Sequence, residues 1–149
     1  MKRLILMGFL IILTLVSILL AQEEKFPGYS INFTKDKNSA TVIFEGWTFD
    51  KVWAAVIKVL MLDKYKIVAS DKTGGTISAV QFMDDFTRNV LKDMNLGTHE
   101  SKWEVFVETA EGGIQVLFVG QNILNPKRGI RNLCKKIAET LASMTQRSF

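Results

Sequence analysis

The sequence has little cysteine, histidine or proline: one Cys, one His and two Pro among 149 residues. The single cysteine, Cys134, excludes a disulfide within the chain, so a packed core must stabilise the fold. One cysteine and one histidine, His99, are too few for a typical zinc site. The chain has 19 Lys and Arg residues and 15 Asp and Glu residues. Without Lys2 and Arg3, at the N-terminus, 17 basic residues remain against the same 15 acidic ones. This near-neutral balance gives no argument for nucleic acid as a partner.

A long apolar run is present only at the N-terminus, where residues 4–21 carry no charge and follow Lys2 and Arg3. A positive segment before an apolar core is typical of an export signal. As a helix the run would cover about 27 Å, close to the hydrocarbon thickness of a bilayer. We predict that residues 1–21 are either a cleaved signal peptide or an uncleaved anchor. In both cases the rest of the chain is exported.

Residues 22–28, with Pro27 and several charges, predict a short tether, and residues 29–149 have the length of a single domain. Period-two alternation and polar or glycine-rich turns predict three β-hairpins in this domain. Their strands are expected at residues 29–33 and 41–45, 65–70 and 76–82, and 102–109 and 114–120. The last of these is the most continuously apolar, which predicts a central position in the sheet.

Apolar residues at three- and four-residue spacing predict two long amphipathic helices. The first covers residues 47–65 with Thr48 as its cap, and the second runs from Asn125 to the C-terminus. A shorter helix is predicted in the connection at residues 83–96. We therefore predict an α+β fold of about six antiparallel strands with both long helices on one face, a two-layer helix-grip arrangement.

Residues 47–53, 65–68 and 71–77 resemble the helix-and-hairpin opening of bacterial envelope lipoprotein domains of the BamC type, from the barrel-assembly machinery. The pattern is a D-x-x-W helix start at Asp50 followed by a D-x-x-x-G-x-I hairpin at Asp71. The resemblance implies a helix-grip-like sheet, a location in the cell envelope and a non-enzymatic role. It implies no site residue, and this chain lacks the lipobox cysteine and the additional domain of that family.

By residue type, a catalytic triad could be assembled from Cys134, His99 and Asp84. Cys134 falls on the apolar stripe of the last helix, where cysteine acts as a small hydrophobic side chain. We predict that the chain is not an enzyme and binds neither a metal nor a cofactor.

The start of the last helix is basic, and Arg128, Arg131 and Lys135 cluster on one flank, with no acid before Glu139. Two interpretations remain open. The cluster is either a solvated face, or a contact for anionic lipid headgroups or an acidic partner protein.

The connection at residues 83–96 is unusually apolar, with Phe86, Val90 and Met94 at helical spacing. These side chains either complete the core or form a lid over a groove between the sheet and the last helix. The sequence thus predicts an exported or membrane-anchored envelope domain that binds another protein. The alternative is a carrier or sensor of a small lipid-like ligand, with residues 83–96 as the lid.

Overall fold

A computed structural model describes residues 23–81, 85–95 and 100–146. The predicted signal or anchor at residues 1–21 lies outside this part of the chain. The strands are β1 (Glu23–Phe26), β2 (Tyr29–Phe33), β3 (Ser39–Phe44), β4 (Lys66–Asp71), β5 (Thr76–Gln81), β6 (Ser101–Ala110) and β7 (Gly113–Gln121). The helices are α1 (Phe49–Leu62), α2 (Asp85–Asp93) and α3 (Pro126–Gln146). The predicted α+β class is confirmed.

All neighbouring strands of the sheet are antiparallel, in the order β1-β2-β3-β7-β6-β5-β4. The three predicted hairpins are β2–β3, β4–β5 and β6–β7. The continuously apolar strand β7 has three strands on either side, so its predicted central position is confirmed. Its pairing with β3, where Ser39 lies opposite Val119, joins the first hairpin to the last. The described sheet has seven strands where about six were predicted.

The additional strand is β1, so the tether prediction is wrong for residues 23–26. Glu23 pairs with Asn32 and Phe26 with Tyr29, and the rings of Phe26 and Tyr29 stack with centroids 4.9 Å apart. Local sequence gives little β propensity here because the strand is short and charged. The open edge of β2 supplies the backbone partners that the local pattern does not reveal.

Helix α1 is shorter than predicted at both ends. Thr48 caps its start, where its hydroxyl oxygen accepts a hydrogen bond from the Lys51 amide. At the other end Lys64 takes a left-handed conformation with φ 65°. The amides of Lys64 and Tyr65 then bond back to the carbonyls of Met61 and Leu60. This pair of backbone hydrogen bonds around a left-handed residue is a common way for a helix to end. Helix α1 therefore stops at Leu62 rather than continuing to residue 65.

The long helices α1 and α3 pack on one face of the sheet, as predicted, and their apolar stripes form the core together with alternate strand residues. Trp103 of β6 and Phe118 of β7 are fully buried in this core, with rings edge to face and centroids 6.2 Å apart. The stripe of α3 supplies Ile130, Leu133, Cys134, Ile137 and Leu141, all buried. The opposite face of the sheet, which we call the open face, carries neither of these helices.

Candidate interaction surfaces

The first surface is the contact between β1 and the basic start of α3. Arg131 Nε donates a 2.8 Å hydrogen bond to Glu24 Oε2, and its Nη2 donates to the other carboxylate oxygen. Lys127 Nζ lies 4.0 Å from Glu24 Oε1. A planar guanidinium on both oxygens of a carboxylate is the strong, geometrically specific form of the ion pair. The hydrogen bond from Arg131 lowers the pKa of Glu24 below its ordinary value.

The same two cations contact a ring of β2. Lys127 Nζ lies 5.0 Å and Arg131 Cζ 5.4 Å from the ring centroid of Phe33. Both distances are within the range of cation–π attraction. The basic start of α3 is therefore held against β1 and β2, and it fastens the edge strand to the helix layer.

The three predicted binding cations have different surroundings. Arg131 is engaged by Glu24 and Phe33, whereas Arg128 and Lys135 are exposed. The role of Arg128 and Lys135 in binding a partner stays a prediction. The carboxylate partner of Arg131 was not predictable from the sequence, because Glu24 falls within residues 22–28, whose composition predicts a tether. The sequence shows only that Glu24 carries a negative charge. A charge alone does not identify a partner 107 residues away in the sequence.

The second surface is the open face. Phe106 on β6 lies opposite Leu117 on β7, and its side chain is 42% exposed. Ile43 and Val119 are half-buried on the same face. In the strand register Phe106 lies opposite Leu117, while Ile43 and Val119 are the next residues to Leu117 on the same face, diagonally across on β3 and two positions along β7. We call Ile43, Phe106, Leu117 and Val119 the open-face cluster.

Polar side chains surround the open-face cluster, and several bond to one another. The Ser78 hydroxyl donates to Glu104, which also pairs with Lys102. Gln115 Nε2 donates to Glu108 Oε1 at 2.6 Å. An apolar centre with an aromatic residue and a polar rim is the usual organisation of a protein–protein interface.

The third surface is α2, and here the core interpretation is wrong for the described side chains. Phe86 is 79% exposed, Val90 39% and Met94 64%. Side chains that completed the core would be buried, and those of a closed lid would also be hidden from solvent. Phe82, Met83 and residues 96–99 lie outside the described part of the chain.

A groove of about 390 Å³ runs between α1 and α3, lined in part by Val59, Leu62 and Thr140. Lys136 and Asp63, which also line it, form an ion pair there. A site for a lipid-like ligand would be an enclosed, mostly apolar cavity. This groove is not such a site, because a charged pair lies in it.

Reactive side chains in the described residues are few. Cys134 is fully buried, and burial raises the pKa of its thiol, so it is not a thiolate at neutral pH. His99 and Asp84, the other members of the triad considered above, lie outside the described residues. Over residues 23–81, 85–95 and 100–146, no three His, Cys, Asp or Glu side chains are grouped to hold a metal ion.

No protein-family model matches the chain, and no curated protein matches it. None of the helices in the described part of the chain is long and apolar enough to cross a membrane.

Proposed function

We propose that this chain is a membrane-anchored, non-enzymatic domain of a bacterial cell envelope that binds a partner protein through the open face. Residues 1–21 are the anchor, and the α+β domain lies on the far side of the membrane. The partner contacts the open-face cluster of Ile43, Phe106, Leu117 and Val119.

The export and anchoring part of the proposal is supported by sequence. Residues 4–21 form an uncharged run preceded by Lys2 and Arg3, and such positive residues stay on the cytoplasmic side. Leu19 occupies the position where a signal peptidase prefers a small residue if cleavage followed Ala21. Retention as an anchor fits both observations.

The observation that carries the binding part is Phe106. It is a large aromatic side chain, 42% exposed, on a strand next to the centre of the sheet rather than at an edge. Aromatic residues with a water-excluding surround supply most of the binding energy in protein interfaces. The three other apolar side chains of the open-face cluster, together with the polar residues around them, give Phe106 that kind of surround on the face opposite the core.

The non-enzymatic part is supported by the state of Cys134. This thiol is buried among the side chains of α3 and the sheet, and its pKa is raised by that burial. A nucleophilic cysteine needs access to substrate and a lowered pKa. Cys134 has neither property.

Site-specific photo-crosslinking in living cells tests the binding surface. A benzoylphenylalanine at Phe106 is expected to give a discrete adduct with one protein. Phe26 is a matched control, since it is also aromatic and 39% exposed but lies on the edge strand β1. If position 106 yields no more adduct than position 26, the open face is not the binding surface.

A further inference from the structure

Several connections meet at one end of the sheet, which we call the entry end. Antiparallel pairing of Glu23 with Asn32 brings the start of β1 beside the β2–β3 turn. Pairing of Ser39 with Val119 brings the β7–α3 connection to that turn, where the Gly120 amide bonds to the Asn38 carbonyl at 2.8 Å. The chain therefore enters β1 at the end where α3 begins.

Helix α2 projects from the same end. Lys102 lies opposite Gln121, so β6 starts where β7 finishes. Gln81 lies opposite Ser101, so β5 finishes there as well, and α2 is the middle of the connection between these two strands. Asp85 is four residues from Gln81, which limits their separation to about 14 Å. The helix is thus tied to the entry end on both sides.

The exposed apolar side chains of this end come from two separate connections. Phe86 and Val90 of α2 and Met94 directly after it are spaced four residues apart, which places them on one side of the helix. In the β7–α3 connection Leu124 is fully exposed. These four residues, which we call the entry-end apolar set, are four of the nine exposed large hydrophobic residues in the described part of the chain.

The entry end is also net positive around the start of β1. The cations of the β2–β3 turn and of the start of α3 outnumber the acids of that turn and of β1. The cations are Lys35, Lys37, Lys127, Arg128 and Arg131, and the acids are Glu23, Glu24 and Asp36. Such a surface complements an anionic one.

The length of chain between the apolar run and the sheet is very short. Ala21 ends the run and Glu23 begins β1, so the two residues are at most about 7 Å apart. The headgroup layer on each side of a bilayer is about 5–8 Å thick. Because Arg131 fixes Glu24 to α3, an anchored chain cannot move this end far from the membrane without breaking that contact.

We propose that the entry end lies in the headgroup layer of an anionic bilayer and inserts the entry-end apolar set into the interface. Helix α2 acts as an interfacial amphipathic helix, and Leu124 provides a second point of contact. The inference rests on the proposed anchoring by residues 1–21, and it adds the orientation of the domain and its lipid contact. A bilayer accounts for exposed apolar groups on two connections beside the anchor, whereas a helix-binding protein groove would contact α2 alone.

The test uses the full chain reconstituted with vesicles of phosphatidylglycerol and phosphatidylcholine, and flotation of the vesicles shows whether the chain is bound to them. An environment-sensitive NBD probe is attached to a cysteine at Phe86, Met94 or Leu124. The matched controls are Lys92, on the opposite side of α2, and Phe106 on the open face. Cys134 is buried, and the unmutated chain labelled in parallel measures its background. Circular dichroism of each variant confirms that it is folded, and lipids with a doxyl group in the acyl chain act as quenchers.

Probes at Phe86, Met94 and Leu124 should be quenched at least about twofold more than the control probes, since interfacial helices bury their apolar face about 5–10 Å deep. Equal quenching at all positions in a chain that floats with vesicles would overturn the lipid contact and leave the anchor intact. A chain that does not float would overturn both. A blue shift without lipid quenching would indicate contact with protein and would also overturn the inference.

Discussion

Arg131 on α3 holds Glu24 on β1 through both carboxylate oxygens, with a 2.8 Å hydrogen bond between Arg131 Nε and Glu24 Oε2. The two residues are 107 positions apart. This pair joins the first strand to the last helix, and it fixes the point where the chain leaves the predicted anchor. The exposed fractions are 26% for the Glu24 side chain and 41% for that of Arg131, so solvent weakens the attraction and limits its contribution to about 1 kcal/mol.

Glu24→Gln should lower the free energy of unfolding by up to about 1 kcal/mol at neutral pH. Arg131 lowers the pKa of Glu24 in the folded chain from 4.5. A lowered folded pKa means that the stabilisation is complete above the unfolded pKa and is lost as the pH falls through the folded pKa. Chemical denaturation of both proteins should therefore show a difference at pH 7 that shrinks in strong acid. Glu23→Gln is the control, and an equal loss in that variant would contradict the account.

Phe118→Ala and Phe106→Ala make the same substitution on the two faces of the sheet. Phe118 is fully buried in the core, so its truncation should cost about 3–5 kcal/mol. Phe106 is partly exposed on the open face, and we expect a cost below about 1.5 kcal/mol. Urea denaturation measures both. Equal costs would show that Phe106 is part of the fold's core rather than available for binding.

Phe86→Ala and Met94→Ala should change the free energy of unfolding by less than about 0.5 kcal/mol each, because both side chains are exposed. Leu133→Ala, in the buried stripe of α3, should cost about 2–5 kcal/mol. The measurement is denaturation of the chain in detergent. Losses of several kcal/mol at Phe86 and Met94 would restore the core interpretation.

Gly75 and Gly46 have similar left-handed backbones, with φ 70° and 75°, but different surroundings. A methyl group at Gly46 meets open space, whereas one at Gly75 would overlap the carbonyl oxygen of Val107. Gly46→Ala should cost about 1–2 kcal/mol from backbone strain alone. Gly75→Ala should lower the free energy of unfolding by more, because its methyl group also pushes β6 away from the β4–β5 turn. At that point the Val107 amide of β6 donates a 2.7 Å hydrogen bond to the Gly75 carbonyl. Thermal unfolding that gives the reverse order would contradict this packing.

The elements of this fold were largely predictable from sequence because their signals are local. Alternating apolar and polar residues on either side of the Gly74–Gly75 turn predict the β4–β5 hairpin, and Thr48 and Asn125 mark the starts of the two long helices. Even the central position of β7 followed from its apolar run. Each of these features depends on residues within a few positions of one another.

The features missed depend on partners distant in sequence. Strand β1 forms because β2 offers an open edge, and nothing in its own charged residues indicates pairing. The contact from Arg131 to Glu24 follows from that strand. The exposure of Phe86 was also not predictable, since an apolar stripe on a helix has the same pattern whether protein, lipid or solvent covers it.

Protease protection in spheroplasts, combined with the intact mass of the chain, shows whether residues 1–21 hold the domain on the far side of a membrane. The full-length chain is produced in bacterial cells, and the intact mass of the membrane-extracted protein is then measured. If residues 1–21 are the anchor, the measured mass includes them and external protease digests the domain. A chain found in the soluble fraction without residues 1–21, or one protected until the inner membrane is broken, would contradict this anchoring.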